Sequence, residues 1–495
     1  MKARKSSFLY RYRFVVGYVI LFLLFFSALF ILPNIAPKGL SQDEMDSVVA
    51  ASRVNPLVDG NVVNMPYLLL QRLSIKLLGL SLISIKLPSI IIGTLAALFI
   101  ILLLNRWFKS DVAVIGSIFT TLSTAFLFLA GSGTPAISYI FWLAFILWLG
   151  SKIVGNNEIK PIYIALFFIA LALSVYTPHM CYVALCIAIA GLIHPHLRFS
   201  LKKLKFNELV ICIAMALLIM APLAVSVTFH PEIMADLVLM RDFSFNTFIN
   251  NISNAFAPFF SFSMAYDSTY LAPLFGLASV ALVVIGALAS VGKLFTSRNT
   301  VVSLLIIFAI VFSGLNPAIA ISVIVPFAIL SSAGIESIFE KWHSLFPENP
   351  YAHFVGTAPV VVLIVVILVS SLSHYINGYR YTPRVAKNFD NDISLIKENL
   401  HNGDVLLVAE DYNFDFYKLL EHYNSITVQS ELPNRHDMKI AVLGERREFE
   451  DLELQQIITS PKSRNSARLY IYQQSVAEAT ETTESNDSAE PAKQQ

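Results

Sequence analysis

The chain has 495 residues, 56% of them hydrophobic and 14% charged, with a formal net charge of +1 and a mean hydropathy of +0.65. Soluble domains carry roughly 25% charged residues, so this composition places the chain among polytopic membrane proteins. The near-zero net charge offers no bulk field for nucleic acid. The three cysteines, Cys181, Cys186 and Cys212, lie in apolar stretches and read as small buried hydrophobes, with neither a disulfide framework nor a metal-thiolate spacing.

The N-terminus, MKARKSSFLYRYR, leads into an apolar run from Phe14 to Leu32. The run is longer than a signal-peptide core of about 7–15 residues, and no clean small-x-small cleavage site follows it. It predicts a retained first transmembrane helix. Ten residues or so further on, Asp43 and Glu44 stand side by side. Adjacent carboxylates just beyond a span are where a membrane-embedded enzyme would hold a general base. An amphipathic stretch, EMDSVVAASRV, a polar turn, NPLVDGN, and a proline-led segment, MPYLLLQRLSIKLLG, follow. They predict two interfacial helices within 41–80, the second carrying Arg72 and Lys76 on one face.

Further spans are expected near 82–104, 112–130, 136–153, 161–176, 178–194, 208–228, 271–291, 300–315, 318–335 and 354–374, about eleven in all. Pro135, Pro178 and Pro317 mark tight turns, because the residue before a proline is held away from helical geometry. Lys86 falls just inside the second span, where a cation either snorkels to the interface or meets an anionic partner such as a lipid phosphate. Tyr176 and His179 occupy the turn YTPHM. They suit either an interfacial belt or contact with a phosphate. The loop 229–270, rich in Phe and Asn with Arg241-Asp242 and Asp267, predicts an ordered, membrane-dipping cover over a lipid or sugar site.

Basic residues set the orientation. Lys2, Arg4, Lys5, Arg11, Arg13, Arg106, Lys109, Lys152, Lys160, Arg198, Lys202, Lys203, Lys205, Lys293, Arg298 and Lys341 cluster in alternate loops, and the turns 131–135, 177–178 and 316–317 contain none. The positive-inside rule therefore predicts a multi-pass plasma-membrane protein with a cytoplasmic N-terminus, and with 33–81, 229–270 and the C-terminal region outside. Away from their ends, the spans from about 112 to 335 hold no Asp, Glu, Lys or Arg, which argues against an ion-coupled pump. Residues 376–475 predict a small α/β domain. DVLLVAED, SITVQS, MKIAVLG and RLYIYQQ read as strands, FDFYKLLEHY and FEDLELQQIIT as helices. Residues 476–495 are polar and predict a disordered tail. No Walker loop or Gly-x-Gly-x-x-Gly helix start provides a nucleotide site.

Gly39 to Glu44 (GLSQDE), Met65-Pro66-Tyr67-Leu68, Lys86-Leu87-Pro88-Ser89 with Gly93, Tyr176 to His179 and His194-Pro195 occur in this order on this topology. The series resembles the GT-C fold membrane glycosyltransferases, in particular the dolichyl-phosphate-mannose–protein mannosyltransferases (glycosyltransferase family 39) and the bacterial aminoarabinose transferases. The resemblance covers most of 14–375 and implies a GT-C-like transmembrane domain over 1–375. It implies hexosyl- or mannosyl-type transfer from a polyprenyl-phosphate sugar to a hydroxyl on a protein or an envelope glycan or lipid. In that setting Asp43 is the expected base, with Glu44 orienting the acceptor or taking its place. Arg53, Lys86, Tyr176 and His179 are the expected donor-phosphate or substrate contacts, and a divalent metal is left open. One departure stands out: the resemblance implies an arginine and a nearby acid at the third outer turn, as in many relatives, whereas AGSGTPAISY has Gly131 or Ser132 and Ala136 there. A lipid or glycan transporter and an inactive protein of the same fold are the competing readings.

Overall fold

A helix that crosses a hydrocarbon layer of about 30 Å needs about 20 apolar residues, and this requirement organises most of the chain. The computed structural model describes residues 13–54, 62–154, 160–238, 244–260, 271, 273, 275–293, 295–345, 350–409, 413–432, 439–444, 446–449, 452–459 and 468–474. The helices run in the order α1 (Arg13–Ile35), α2 (Gln42–Ser52), α3 (Met65–Leu78), α4 (Leu82–Trp107), α5 (Ser110–Thr121), α6 (Thr124–Gly131), α7 (Ile137–Val154), α8 (Pro161–Ser174), α9 (Cys181–Ile193) and α10 (Pro195–Lys202). They continue with α11 (Phe206–Phe229), α12 (Glu232–Val238), α13 (Phe245–Phe260), α14 (Leu277–Val291), α15 (Ser297–Ser313), a 3₁₀ turn (Pro317–Val323), α16 (Ile324–Leu345) and α17 (Pro350–Tyr381). The C-terminal region contributes α18 (Pro383–Ala386), α19 (Asp392–Asn399), β1 (Val405–Leu407), α20 (Phe414–Asn424), β2 (Thr427–Gln429), β3 (Ile440–Leu443), β4 (Leu452–Thr459) and β5 (Arg468–Gln474).

Among the described residues, five helical units are long and apolar enough to cross a membrane: α4, α7, α11, the 3₁₀ turn with α16, and the Val361–Tyr381 part of α17. Two bent pairs, α5–α6 at 61° and α9–α10 at 97°, each have the length of one span, and Phe22–Ile35, α8, α14 and α15 are shorter apolar helices. Every expected span coincides with one of these. Burial sorts them: 89% of the apolar window of the 3₁₀–α16 unit is inside the bundle but only 17% of that of α11, so α16 is central and α11 presents its side chains to lipid. Gly286 and Gly334 permit the tightest crossing, between α14 and α16, because a Cβ on either would overlap the backbone carbonyl of Leu330 or Leu282.

The C-terminal sheet has the order β2-β1-β3-β5-β4. β1 pairs parallel with β2 and β3, as the β1–α20–β2 crossover requires, while β5 is antiparallel to β3 and β4. The sequence expectation of a helix in FEDLELQQIIT is corrected here: Leu452–Thr459 is a strand, with a bulge between Leu454 and Gln456. The bulge shifts the alternation by one residue, which turned a strand pattern into an apparently helical one. The loop expected over 229–270 contains α12 and α13. Lys2, Arg4, Lys5, Arg11, the NPLVDGN turn, Arg241-Asp242, Asp267 and the tail 476–495 lie outside the described residues.

The core does not stop at the expected boundary near residue 376. α17 runs on to Tyr381. One apolar cluster joins Met45 and Val48 of α2, Ile75 of α3, Leu80 and Ile85 to Ile393, Ile396, Leu400, Phe416, Tyr417 and Leu420 of the C-terminal unit.

Candidate functional site

The site begins with a helix start. Ser41-Gln42-Asp43-Glu44 is a capping box, in which the Ser41 hydroxyl accepts from Glu44 N at 3.4 Å and Ser41 N donates to Glu44 Oε2 at 2.8 Å. Such a box contributes about 1 kcal/mol to the helix. It also turns Glu44 back and inward, where it is fully buried. Its second oxygen, Oε1, accepts from Gly133 N at 2.5 Å and lies 3.6 Å from Lys86 Nζ, itself 5% exposed. Glu44 and Lys86, both expected at the site from sequence, are thus brought together as a buried ion pair in which each carboxylate oxygen also accepts a backbone N–H.

Asp43 is a hundred degrees further round the same helix. Its side chain reaches the surface, and it makes no hydrogen bond or ion pair among the described residues. Although exposed by area, it is crowded by protein: desolvation first, then the charges of Asp46 and Glu44, push its carboxyl above the usual range. A raised pKa makes the carboxylate a stronger base than an ordinary aspartate.

A polar layer beneath the pair fixes α2, α3, α4 and the 131–136 turn to one another. Ser47 Oγ donates to Gln71 Oε1 at 2.8 Å, Gln71 Nε2 donates to Gly133 O at 2.9 Å and Ile85 O at 3.3 Å, and the Tyr67 and Ser89 hydroxyls are 2.7 Å apart. Sequence reading missed Gln71. Its signal was a polar residue within the apolar row Tyr67, Leu68, Gln71, Ser74, Ile75, which is buried throughout. At Gly131, one of the positions where the resemblance implies a charge, space is short. A Cβ on Gly131 would stand 2.6 Å from Pro33 Cγ, so no side chain fits. The turn contributes the backbone N–H of Gly133 instead of a charged side chain.

α2 is also held from the C-terminal side. Leu40 and Asp390 exchange two backbone hydrogen bonds of 2.8 Å, Gln42 and Asn413 pair through both amides at 2.6 and 2.8 Å, and Arg53 Nη2 meets Asp415 Oδ2 at 2.7 Å. Arg53, expected at a donor phosphate, is therefore placed in an exposed pair. Tyr176 lies at the Asn64 end of α3, with His179 three residues on. Tyr176 O accepts from Asn64 N at 2.7 Å and Tyr176 Oη donates to Ile219 O at 2.7 Å, while His179, at φ +61°, donates its N–H to Leu237 O at 2.8 Å.

A cleft of about 360 Å³ opens beside the pair, lined by Lys38 and Gly39, Leu82 and Lys86, and Ser394 and Glu398. The described residues gather no group of three or more His, Cys, Asp or Glu side chains.

Residues 65–225 match the family described as dolichyl-phosphate-mannose-protein mannosyltransferase. The structure is similar to ArnT from Cupriavidus metallidurans bound to undecaprenyl phosphate, with a TM-score of 0.52 and 12% identity over 93% of this chain and 98% of that one. The apo state of ArnT gives 0.51 and 12% over 92% and 98%. An Archaeoglobus fulgidus oligosaccharyltransferase gives 0.48 and 11% over 86% of this chain and 64% of that one. No curated protein matches the chain. The fold is that of the GT-C class of polytopic membrane proteins, with a small C-terminal sheet. Within that class the chain resembles ArnT along most of its length and the protein mannosyltransferases over the matched third.

Proposed function

We propose that this protein is an integral membrane glycosyltransferase that moves a sugar from a polyprenyl-phosphate carrier to a hydroxyl on a protein or an envelope glycan or lipid. The observation that carries the reading is the division of labour within the acidic pair. Glu44 is buried and holds Lys86 at a cleft, while Asp43 is exposed and unengaged on the same turn. The likeness to a protein crystallised with undecaprenyl phosphate supports the choice of carrier. A polytopic plasma-membrane topology with α2, α3 and the C-terminal unit on the outer face follows from the basic residues of the alternate loops.

A hydroxyl is a poor nucleophile until its proton is removed as the new bond forms. Asp43 takes that proton while the oxygen attacks the anomeric carbon, which general-base catalysis accelerates roughly 10²–10⁴-fold. The bond to the lipid phosphate breaks with its electron pair on the phosphate oxygen. The ammonium of Lys86 meets the developing charge, where preorganised partners act most strongly. Glu44 positions Lys86.

Incubating membranes with radiolabelled polyprenyl-phosphate sugars tests the reading. Label should pass to an acceptor with the wild-type chain and not with Asp43→Asn. Unaltered transfer by Asp43→Asn removes the base, and carrier-lipid flux without transfer establishes a transporter. The absence of a charged side chain at the 131–136 turn favours one other reading, an inactive scaffold. Donor binding without any transfer by wild type would establish that.

A further inference from the structure

α19 faces two ways. Ile393, Ile396 and Leu400 point into the apolar cluster shared with α2, and Tyr417 Oη donates to the buried Asp392 at 3.0 Å, which fixes the helix on the sheet. The opposite side carries Asn391, Ser394 and Glu398 at i, i+3 and i+7, a polar row on one face, and these three line the Lys86 cleft. The paired backbone of Leu40 and Asp390 ties the start of α19 to the very loop whose Lys38 and Gly39 form another wall. The cleft therefore carries the Lys86 ammonium, paired with Glu44, on its transmembrane side, and on its α19 side hydrogen-bonding groups beside Leu395. Its third border is the end of α1, through Pro33 and Asn34; on the same helix end, outside the cleft, Ile31 is 54% and Ile35 37% exposed, a surface a lipid tail would follow.

We infer that this cleft is the subsite for the sugar ring of the lipid-linked donor, with Ser394 and Glu398 of the C-terminal unit as its specificity-determining residues; the inference rests on the transferase reading. The phosphate lies against Lys86, the ring hydroxyls face the carboxylate and hydroxyl of α19, and the prenyl chain leaves along α1. A volume of about 360 Å³ lies near the lower end of ligand pockets, which span roughly 300–1,000 Å³. It suits one monosaccharide phosphate. α19 thereby makes the C-terminal unit a recogniser of the donor rather than only of the acceptor.

The test uses the full-length protein in lipid nanodiscs and two kinds of probe: undecaprenyl phosphate, and undecaprenyl-phosphate hexoses (mannose, glucose, galactose). Wild type should prefer at least one hexose lipid to the bare phosphate. Glu398→Gln, at an exposed position, should reduce that preference by about tenfold, the worth of a hydrogen bond to a charged group, and Ser394→Ala, at a partly exposed one, by about fivefold, the worth of a neutral one; both leave the core of α19 intact. Their affinity for undecaprenyl phosphate itself should be unchanged. Equal losses for both lipids, or no change for either, would overturn the subsite and leave the transferase reading standing. Failure of the wild type to bind any of these lipids would overturn both.

Discussion

Asp43 and Glu44 differ by one position in sequence and by everything in environment, so their substitution should have opposite consequences. Asp43→Asn should abolish transfer without loss of stability. The fold raises the pKa of this carboxyl, so its stabilising contribution is complete only below the unfolded value of about 3.9 and is lost as pH rises through the folded value. At neutral pH the neutral amide therefore melts at the same temperature or slightly higher. For the same reason the acidic limb of the wild-type rate profile should lie above that of an ordinary aspartate. A limb at or below pH 4 would show that another group is the base. Glu44→Gln should instead fail by unfolding, since removing one member of a buried pair costs about 3–5 kcal/mol. Glu44→Gln with Lys86→Met should recover much of that melting temperature, because no buried charge is left unpaired. Equal stability of the single and double variants would show that the pair is not what holds the turn. The different fates of the two acids were legible in part: Ser41-x-x-Glu44 is a capping-box spacing that predicts an inward Glu. The Gly133 N–H that meets it leaves no trace in a side-chain pattern.

At the level of elements, α2 is an arm held between two bodies. Its inner face packs on α3 and α4, and its other face is held by Gln42–Asn413 and Arg53–Asp415. An exposed ion pair is worth about 0–1 kcal/mol, so Arg53→Ala should leave both stability and donor affinity nearly unchanged. A large fall in affinity for undecaprenyl phosphate would restore Arg53 to the phosphate contacts expected from sequence. The spans were readable because hydropathy and proline report directly on what a bilayer demands, as the agreement of 82–104 with α4 and of 136–153 with α7 illustrates. β4 was not, because its bulge hides the two-residue period. The sequence reading placed no helix over 392–399, so the polar row of α19 was missed, and nothing in the sequence says that Lys86, some 300 residues earlier, faces it. The same limit applies to Gly131. The packing of Pro33 against it leaves no mark in the sequence, and Gly131→Arg should destabilise the protein.

Over the whole molecule, the shared apolar cluster decides whether the C-terminal unit is an appendage. Leu40, Met45, Val48, Ile75, Leu80 and Ile85 are all within 3% of full burial, and the partners that cover them include Ile393, Phe416 and Leu420. Ending the chain after Thr382 would return these side chains to water at about 25 cal/mol for each Å² exposed, and would remove both Asp390 and Asn413 from α2. The truncated protein should still insert, because insertion depends on the apolar spans. Hydrogen exchange should nevertheless show the amides of α2 opening to solvent while those of α4 and α7 keep their protection, and donor transfer should vanish with α2. Protection of α2 that survives truncation would make the unit a separable domain and would place the ordering of Asp43 wholly within the transmembrane bundle.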